Sequence, residues 1–339
     1  MRVGLVYDIF DAYPWEAGEP PDADAEYEPE ETVDAMEEAV RLLGHEPVRI
    51  GTAYDLLAKL RDVRVDAALS IAEGARSRNR EGFAPTLFEM AGIPFLGSDA
   101  LTLSLSLDKA WTKDLVATAG VPTPAYRTFS AADEVTEAAL AGRGMGPGSD
   151  PLTFPLFVKP RYEGSSKGIT AASRVETPAA LREQVTRTVE LYRQDALVET
   201  FIQGGGEFTV AVIGNDPPEA LPVLQRAVEP NTRIGLHALE HRGAPEQEWD
   251  YLIEGTLTPE LEARLQELAV RVYEKLLCKD FARIDFRVDA NGTPWFLEIN
   301  PLPTFAPDGT FAIIAELMGR PYPNFLAEVL ERGLKRLKG

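Results

Sequence analysis

The segment from Phe281 to Pro303 carries acidic, basic and amide side chains at a spacing that can hold a metal ion. Asn291-Gly292 predicts a two-residue hairpin turn, because it lies between two runs of alternating polar and apolar residues. The register that follows would pair Ala290 with Thr293, Asp285 with Glu298, and Arg283 with Asn300. This hairpin would therefore bring two carboxylates face to face.

Alternation along the two strands predicts a polar face and an apolar face. The polar face would carry Arg283, Asp285, Glu298 and Asn300, and the apolar face Ile284, Phe286, Leu297 and Ile299. Carboxylates about 5 Å apart between Cβ atoms repel each other, so a cation should lie between them. The oxygen ligands of Asp285, Glu298 and Asn300 suit Mg²⁺ or Mn²⁺, which completes its shell with water and nucleotide phosphates. The alternative is a solvated face on which Arg283 neutralises Asp285.

A glycine- and serine-rich loop predicts a phosphate contact. Lys159 lies on a predicted strand that leads into Gly164-Ser165-Ser166-Lys167-Gly168. Glycines let backbone N–H groups approach an anion, serine hydroxyls add donors, and the lysine supplies a charge. The loop lacks the GK[ST] ending of a Walker motif, so an ordinary hairpin turn is the alternative. A second lysine, Lys109, starts a predicted helix, where by itself it would be a solvated charge.

The segment LVETFIQGGGEF contains groups that could bind a nucleoside. The backbone from Thr200 to Ile202 could hydrogen-bond an adenine edge, and Glu207 could accept hydrogen bonds from ribose hydroxyls. Glu199 and Glu207 would otherwise be ordinary residues at the ends of strands.

The predicted elements that carry these motifs change in character along the chain. The first third alternates strands with helices, which is typical of a parallel, helix-covered sheet. Its predicted elements are strands at Arg2–Val6, Val48–Ile50 and Ala67–Ile71, and a helix at Glu31–Leu43. From Phe154 onward the pattern is α+β. The predicted elements there are strands at Leu156–Pro160, Leu197–Phe201 and Phe208–Ile213, and helices at Pro178–Tyr192 and Pro259–Leu277.

Three segments lack periodic apolar residues and are predicted to be loops. The acid- and proline-rich stretch from Glu16 to Glu31 reads as a mobile loop. Ala141–Pro151 reads as a surface connection, and Val228–Asp250 as a long loop.

Composition excludes several classes of protein. The 339 residues carry a formal charge of −20, which argues against binding to nucleic acid or to anionic membranes. No apolar run is long enough to span a membrane, and no signal-peptide pattern precedes the first strand, so we expect a cytoplasmic protein. Cys278, the one cysteine, continues an apolar stripe and should pack in the core. Three histidines make a histidine-rich zinc site improbable.

Taken in order, these motifs resemble the ATP-grasp ligases, specifically the D-alanine–D-alanine ligase family. The likeness rests on Asp108-Lys109, Lys159 with EGSSKG, VETFIQGGGEF, RIDF with EINPLP, and EMAGIPFLGSDALTLSLSLDKAWTK with GVPTP. It implies an α/β and α+β chain, in which a Rossmann-like N-terminal domain precedes a two-lobed ATP-grasp fold. The implied boundaries are 1–107 for the N-terminal domain, 108–200 for the central lobe and 201–339 for the C-terminal lobe.

The resemblance also implies a role for each matched residue. Lys109 and Lys159 would hold the α- and β-phosphates, and the Ser165/Ser166 loop would cover the phosphates, with Ser165 at the catalytic centre. Glu199, Thr200, Ile202 and Leu297 would line the adenine site, and Glu207 would bind the ribose. Asp285, Glu298 and Asn300 would carry two magnesium ions, and Arg283 would stabilise the oxyanion. The cofactors would be ATP and Mg²⁺ or Mn²⁺.

The amino-acid half departs from the family pattern. The glycine-rich Ser-x-Glu loop has no counterpart in YDIFDAYPWEAGEP, and Glu73 replaces a histidine. Thr304 stands in place of a glycine, and Gly309 or Thr310 in place of the serine that grips the second substrate. The Tyr-Lys pair of the flexible loop is also missing. The hypothesis is therefore a carboxylate–amine ligase, acting through an acyl phosphate, whose acceptor differs from D-alanine, with the identity of the donor left open.

Two other hypotheses remain open at this point. One is a true D-alanine–D-alanine ligase that uses substitute residues, and the other is a non-catalytic ATP-binding regulatory protein. The expected partners are ATP and small amino-acid or dipeptide-like substrates, without nucleic acid or membrane. The family's habit of dimerising through the N-terminal domain suggests a homodimer.

Overall fold

The computed structural model describes residues 1–142, 150–240 and 248–338. Its strands are β1 Arg2–Val6, β2 Glu46–Gly51, β3 Ala67–Ser70, β4 Phe95–Leu96, β5 Tyr126–Phe129, β6 Leu156–Pro160, β7 Arg174–Val175, β8 Ala196–Thr200, β9 Gly204–Ile213, β10 Glu219–Ala220, β11 Leu224–Arg226, β12 Phe281–Asp289 and β13 Pro294–Asn300. Its α-helices are α1 Glu30–Leu42, α2 Ala53–Lys59, α3 Phe83–Ala91, α4 Ala100–Leu107, α5 Lys109–Ala117, α6 Glu137–Ala141, α7 Pro178–Tyr192, α8 Leu236–Leu239, α9 Pro259–Lys275, α10 Thr310–Leu317 and α11 Tyr322–Lys338.

The first sheet has the strand order β2-β1-β3-β4, and all its neighbouring strands are parallel. The prediction of a parallel, helix-covered sheet is therefore confirmed. Val3 and Leu5 of β1 share one buried core with Val33 of α1 and with Phe325 and Leu330 of α11. The last helix of the chain thus returns to cover the N-terminal sheet.

The second sheet is antiparallel, with the order β5-β8-β6-β7. Leu156, Val158 and Val198 form a buried core with Leu181 and Val185 of α7. Strand β6 matches the predicted Leu156–Pro160, and α7 matches the predicted Pro178–Tyr192.

The third sheet is also antiparallel, with the order β10-β9-β12-β13 and β11 paired to β9. Its buried face packs against α9, and Cys278 lies in that core with 3% exposure. The prediction that Cys278 packs in the core is confirmed. The architecture agrees with the predicted fold class, whereas the boundaries at 107/108 and 200/201 stay predictions.

The three predicted loops differ in outcome. Residues 143–149 of Ala141–Pro151 and residues 241–247 of Val228–Asp250 lie outside the described residues. The described part of the second segment contains α8 and β-bridges from Val228 to Gly235 and Leu252. The mobile-loop prediction for the acidic stretch is wrong, because Asp22, Asp24 and Glu26 are buried.

The turn of the C-terminal hairpin also differs from its prediction. The strands are joined by three residues, Ala290, Asn291 and Gly292, because Asp289 pairs with Thr293 through an N–H···O bond of 3.0 Å. The Asp289 carboxylate accepts hydrogen bonds from the backbone N–H groups of Asn291 and Thr293, and Gly292 adopts a φ of 82°. This is the three-residue hairpin loop with glycine in the left-handed region.

Candidate active site

Strands β12 and β13 still bring the predicted residues together. Asp285 lies opposite Glu298, and Arg283 opposite Asn300, as the two-residue turn would have required. Nearer the turn, however, Phe286 pairs with Phe296, so Leu297 is an extra residue in β13. This β-bulge offsets the longer turn by one position and restores the predicted register at the polar residues.

The bulge overturns the predicted position of Leu297 on the apolar face. Phe296 and Ile299 are buried in the core, whereas Leu297 and Glu298 are both half-buried and line the same cavity. An unpaired residue lets two successive side chains point to one side of a strand. Leu297 therefore joins the site that the resemblance implied for it.

Two adjoining cavities contain every predicted site residue. The hinge cavity, between β8 and the β12–β13 hairpin, is lined by Lys159, Ser166, Glu199, Thr200, Ile202, Glu207, Asp285, Leu297 and Glu298. The arginine cavity is lined by Lys109, Ser165, Arg283, Glu298 and Asn300. Glu298 belongs to both cavities, so a group bound in one cavity would lie next to a group bound in the other.

Two lysines meet at the Glu298 carboxylate. Its Oε2 atom lies 3.3 Å from Nζ of Lys109 and 3.7 Å from Nζ of Lys159. Burial opposes ionisation of Glu298, but Lys109, Lys159 and Arg283 outweigh it and lower its pKa to about 2. Lys109 and Lys159 are 7% and 4% exposed, so the prediction of Lys109 as a solvated helix charge is wrong. The capping carboxylate of Asp108 starts α5 and directs Lys109 inward.

Glu199 is held between two lysines on the floor of the hinge cavity. Its carboxylate lies 2.9 Å from Nζ of Lys159 and 2.8 Å from Nζ of Lys113. Lys113 is fully buried, and this burial lowers its pKa to about 8 despite the attraction of Glu199. Lys113 was not predicted as a site residue, although it lies one helical turn after Lys109 on α5 and so projects from the same face.

Asp285 forms the ion pair with Arg283 that the alternative interpretation required, at 3.1 Å between Nε and Oδ2. The face is not solvated, however, because Asp285 is only 9% exposed. The Thr209 hydroxyl donates a hydrogen bond to Asp285 Oδ1 at 2.7 Å. The same hydroxyl accepts a hydrogen bond from Arg226 Nε at 3.2 Å. Arg283 thus has its Nε engaged, while its guanidinium also lines the arginine cavity.

The predicted ribose ligand, Glu207, is oriented by two basic side chains. Arg287 donates to its Oε2 at 3.0 Å, and Nε2 of His237 lies 3.4 Å from its Oε1. Burial lowers the pKa of His237, which favours the neutral ring. Arg287 also stacks on Phe201, with 4.5 Å between the guanidinium carbon and the ring centroid. The alternation of Arg283 and Asp285 would have predicted Arg287 on this face, but the sequence analysis stopped at Asp285.

The glycine-rich loop binds anions of the chain itself. Gly164 N–H donates to Glu26, and Gly168 N–H donates to Asp22 Oδ2 at 2.8 Å. Gly168 has a φ of 79°, and a Cβ there would lie 2.6 Å from Cγ of Pro160. The acidic segment that was predicted to be mobile is therefore packed against this loop. Ser165 and Ser166 remain on the cavity side of the loop.

The arginine cavity contains acidic residues that the sequence analysis did not assign to a site. Glu26, Glu73 and Glu81 line it together with the predicted residues. Glu73 was recognised only as a departure from the family pattern. Glu26 and Glu81 lie in segments without strand or α-helix periodicity, so no pattern signalled them. Within residues 1–142, 150–240 and 248–338, no group of three or more Asp, Glu, His or Cys side chains could hold a metal ion.

The fold is that of the ATP-grasp ligases. A solved structure of D-alanine–D-alanine ligase from Bacillus anthracis in complex with ATP matches all of this chain and 98% of its own, with a TM-score of 0.71 and 22% identity. No helix in the described part of the chain has the length and hydropathy to cross a membrane.

Sequence comparisons define the family. Residues 115–331 match the family model for the C-terminus of D-ala D-ala ligases. The D-alanine–D-alanine ligase of Desulforudis audaxviator is 31% identical over 298 residues, which are 88% of this chain and 91% of the relative. An uncharacterized Sinorhizobium fredii protein, y4sG, is 31% identical over 280 residues, 80% of this chain and 75% of its own length. The chain belongs to the D-alanine–D-alanine ligase family. It is an ATP-dependent ligase that forms C–N bonds and uses ATP and Mg²⁺.

Proposed function

We propose that this ligase joins a carboxylate to an amine through an acyl phosphate, with substrates that differ from D-alanine. The observation that carries the proposal is the contrast between the two cavities. The hinge cavity contains every residue expected to bind the nucleotide base, ribose and phosphates except Lys109 and Ser165, which line the adjoining cavity. The arginine cavity instead carries Glu73, and Thr304 and Thr310, at two other departures from the family pattern, are hydrogen-bonded to groups of this chain.

In this proposal the nucleotide occupies the hinge cavity. The backbone from Thr200 to Ile202 and the side chain of Leu297 would contact adenine, and Glu207 would accept from the ribose. Lys109 and Lys159 would bind phosphate oxygens, which would compete with their present partner Glu298. Ser165 and Ser166 would donate to the phosphates from the loop above.

The donor set at the β12–β13 hairpin fits a hard divalent cation. Asp285 and Glu298 face each other in register, and Asn300 adds an amide oxygen on the same strand as Glu298. Oxygen ligands of this kind are those that Mg²⁺ prefers. When bound, Mg²⁺ supplies positive charge that stabilises the phosphoryl group in transfer. Asp285, Glu298 and Asn300 would hold it.

The reaction would take place where the two cavities meet at Glu298. A carboxylate oxygen of the donor substrate would attack the γ-phosphorus, and the bond from that phosphorus to ADP would break. The resulting acyl phosphate would then be attacked by the unprotonated amine of the acceptor. Arg283 would donate to the tetrahedral oxyanion, and phosphate would leave as the amide forms. The proton of the attacking amine would go to solvent or to the departing phosphate.

The acceptor side supports a substrate change. The family glycine position is occupied by Thr304, whose hydroxyl donates to Glu28 Oε2 at 2.9 Å. At the position of the family serine, where Gly309 or Thr310 stands, the Thr310 hydroxyl accepts from Arg226 Nη2 at 2.7 Å. Both hydroxyls therefore have partners inside the chain, in contrast to the free serine that grips a second D-alanine in the family.

Phosphate release with a panel of amino acids and dipeptides tests the proposal. We expect ATP turnover with a substrate pair other than D-alanine with D-alanine. If D-alanine alone supports the highest turnover and D-alanyl-D-alanine is the product, the chain is a true D-alanine–D-alanine ligase. If ATP binds and no member of the panel releases ADP, the ligase proposal fails.

A further inference from the structure

Two glutamates that line the arginine cavity have no partner among the described residues. Glu73 and Glu81 are 9% and 6% exposed, and neither carboxylate forms a hydrogen bond or an ion pair with any described residue. Glu73 follows β3 at the carboxyl edge of the parallel sheet, and Glu81 lies in the short 3-10 turn Arg80–Gly82 before α3. Buried carboxylates without partners are costly, so native proteins keep few of them without a function.

The cations nearby are already used by other groups. Glu26, which lines the same cavity, pairs with Arg80 and lies 2.8 Å from Nζ of Lys167. Lys109 pairs with Glu298 and donates to the backbone oxygen of Glu163. None of these basic groups lies within 4 Å of the Glu73 or Glu81 carboxylate. The cavity thus keeps two acidic groups without an ion-pair partner among the described residues, although Arg80 attracts both from beyond 4 Å.

The free protein disfavours ionisation of both groups. Burial, the neighbouring Glu81 and Glu26 raise the pKa of Glu73 well above its ordinary value. Burial and Glu26 raise the pKa of Glu81 to about 7, although Arg80 and Lys109 act in the opposite direction. A cation that entered the cavity would remove this penalty.

The remaining cavity wall fits a substrate with charges at both ends. Arg283 lines the same cavity and carries the opposite charge, so it can attract the carboxylate that becomes activated. One ammonium group would balance one of the two glutamates and leave the other buried and unpaired. A substrate with two cationic nitrogens would balance both.

We propose that Glu73 and Glu81 bind the two cationic nitrogens of the donor substrate, so that the donor is a small diamino acid rather than alanine. This inference rests on the proposed function, because it places the donor carboxylate beside Arg283. A metal ion is not favoured at this position, since the acidic side chains of the described residues do not converge on a common point.

Calorimetric titration in the presence of Mg²⁺ and a non-hydrolysable ATP analogue tests the inference. The probes are 2,4-diaminobutyrate and homoserine, its uncharged analogue of equal length, each as both enantiomers. We expect diaminobutyrate to bind at least about tenfold more tightly than homoserine, because homoserine leaves a buried carboxylate unpaired. In the variant that removes the partner of the terminal nitrogen, Glu73→Gln or Glu81→Gln, this ratio should fall toward one, and in the other both ligands should bind more weakly. Glu38→Gln, at an exposed position of α1, should keep the ratio of the unaltered protein.

Equal binding of homoserine and diaminobutyrate to the unaltered protein would overturn the inference, as would a ratio that neither Glu73→Gln nor Glu81→Gln lowers. Phosphate release separates this failure from failure of the proposed function. Turnover with uncharged donors leaves the ligase proposal standing and removes the diamino acid. Selective binding without turnover of any substrate pair contradicts the ligase proposal alone.

Thermal unfolding of the ligand-free protein provides a second measurement that does not depend on turnover. At pH 8, Glu81→Gln and Glu73→Gln should unfold at a higher temperature than the unaltered protein, because each removes an unpartnered buried carboxylate. A lower unfolding temperature in both variants would mean that these carboxylates stabilise the fold, and it would overturn their assignment to a ligand.

Discussion

Glu26 and Lys167 lie 141 residues apart in the sequence and form an ion pair of 2.8 Å between the N-terminal segment and the glycine-rich loop. Arg80 also forms an ion pair with Glu26. The side chains of Glu26 and Arg80 are each 3% exposed. The loop that would cover the phosphates is therefore held in place by Glu26 and Arg80, which lie in segments that connect elements around the first sheet. Its position depends on residues far from the nucleotide site in sequence.

We predict that Glu26→Gln lowers the free energy of unfolding by about 3 kcal/mol at pH 7, because it removes one of the two carboxylates that balance the buried Arg80 and Lys167 and leaves them only Glu163. Chemical denaturation measures this change. Glu16→Gln is the control, since Glu16 pairs with Arg76 at the surface and its loss should cost less than about 0.5 kcal/mol. Equal losses in the two variants would contradict the prediction.

The effect of Glu26→Gln should also depend on pH. Burial opposes ionisation of Glu26, but Arg80 and Lys167 prevail and lower its pKa to about 2. A depressed pKa contributes stability above the ordinary value of 4.5, and that contribution is lost as the pH falls toward 2. The difference in stability between the two proteins should therefore shrink below pH 4.5. A difference that stays constant from pH 7 to pH 3 would rule out the ion pair as its source.

The pKa of Glu28 is shifted in the opposite direction to that of Glu26, so its contribution to stability should have the opposite dependence on pH. Burial raises its pKa to about 7, although the hydroxyls of Thr304 and Thr32 donate to it. Its contribution to stability is present below about pH 4.5 and is lost as the pH rises through 7. Glu28→Gln keeps an acceptor for both hydroxyls and removes the charge. We expect its stability relative to the unaltered protein to rise by up to about 3 kcal/mol between pH 4.5 and pH 8.

Melting temperatures across this pH range measure the Glu28 effect. The exposed Glu30→Gln is the control, because Glu30 pairs with Arg49 at the surface. If Glu28→Gln becomes less stable than the unaltered protein as the pH rises, the carboxylate is ionised and favourably bound, and the prediction fails.

Glu298→Gln should abolish Mg²⁺-dependent ATP turnover, with a loss of about 100-fold or more, while the protein stays folded. The change removes one negative charge from the proposed metal site. It also removes the charge that pairs with Lys109 and Lys159. ADP release at saturating Mg²⁺ measures turnover, and circular dichroism verifies the fold. Glu219→Gln, at a surface ion pair with Arg332, should be fully active. Unchanged turnover in Glu298→Gln would remove Glu298 from the site.

Truncation of Leu297, the extra residue of the β-bulge, should weaken binding of the nucleotide without changing the rate of the chemical step. Leu297→Ala removes apolar surface from the hinge cavity, and we expect the KM for ATP to rise about tenfold with little change in kcat. Leu57→Ala, at a position 56% exposed, should leave both constants unchanged. A change in kcat without a change in KM would place Leu297 outside the nucleotide contact.

Local sequence patterns were sufficient to predict many of the strands and helices and much of the candidate site. The short apolar run that begins Leu156–Pro160 and the helical periodicity of Pro178–Tyr192 predict elements that the structure contains with the same bounds. The pairing of Asp285 with Glu298 was also correct, although its reasoning contained an error. The turn has three residues rather than two, and the bulge at Leu297 cancels the shift. A bulge has no reliable signal in a single sequence, because it depends on the packing of both neighbouring strands.

The sequence by itself determined the parallel and antiparallel sheets, the two lysines and the acidic hairpin, since periodicity and turn chemistry act over a few neighbouring residues. Only the tertiary structure decided that Lys113 joins Glu199, that Glu26 binds the glycine-rich loop, and that Glu73 and Glu81 share a cavity without a partner in the described part of the chain. Whether a charge is solvated, paired or left unbalanced depends on segments that are distant in the chain. Burial and electrostatic attraction between such segments are set when the sheets pack together, and local sequence carries no record of them.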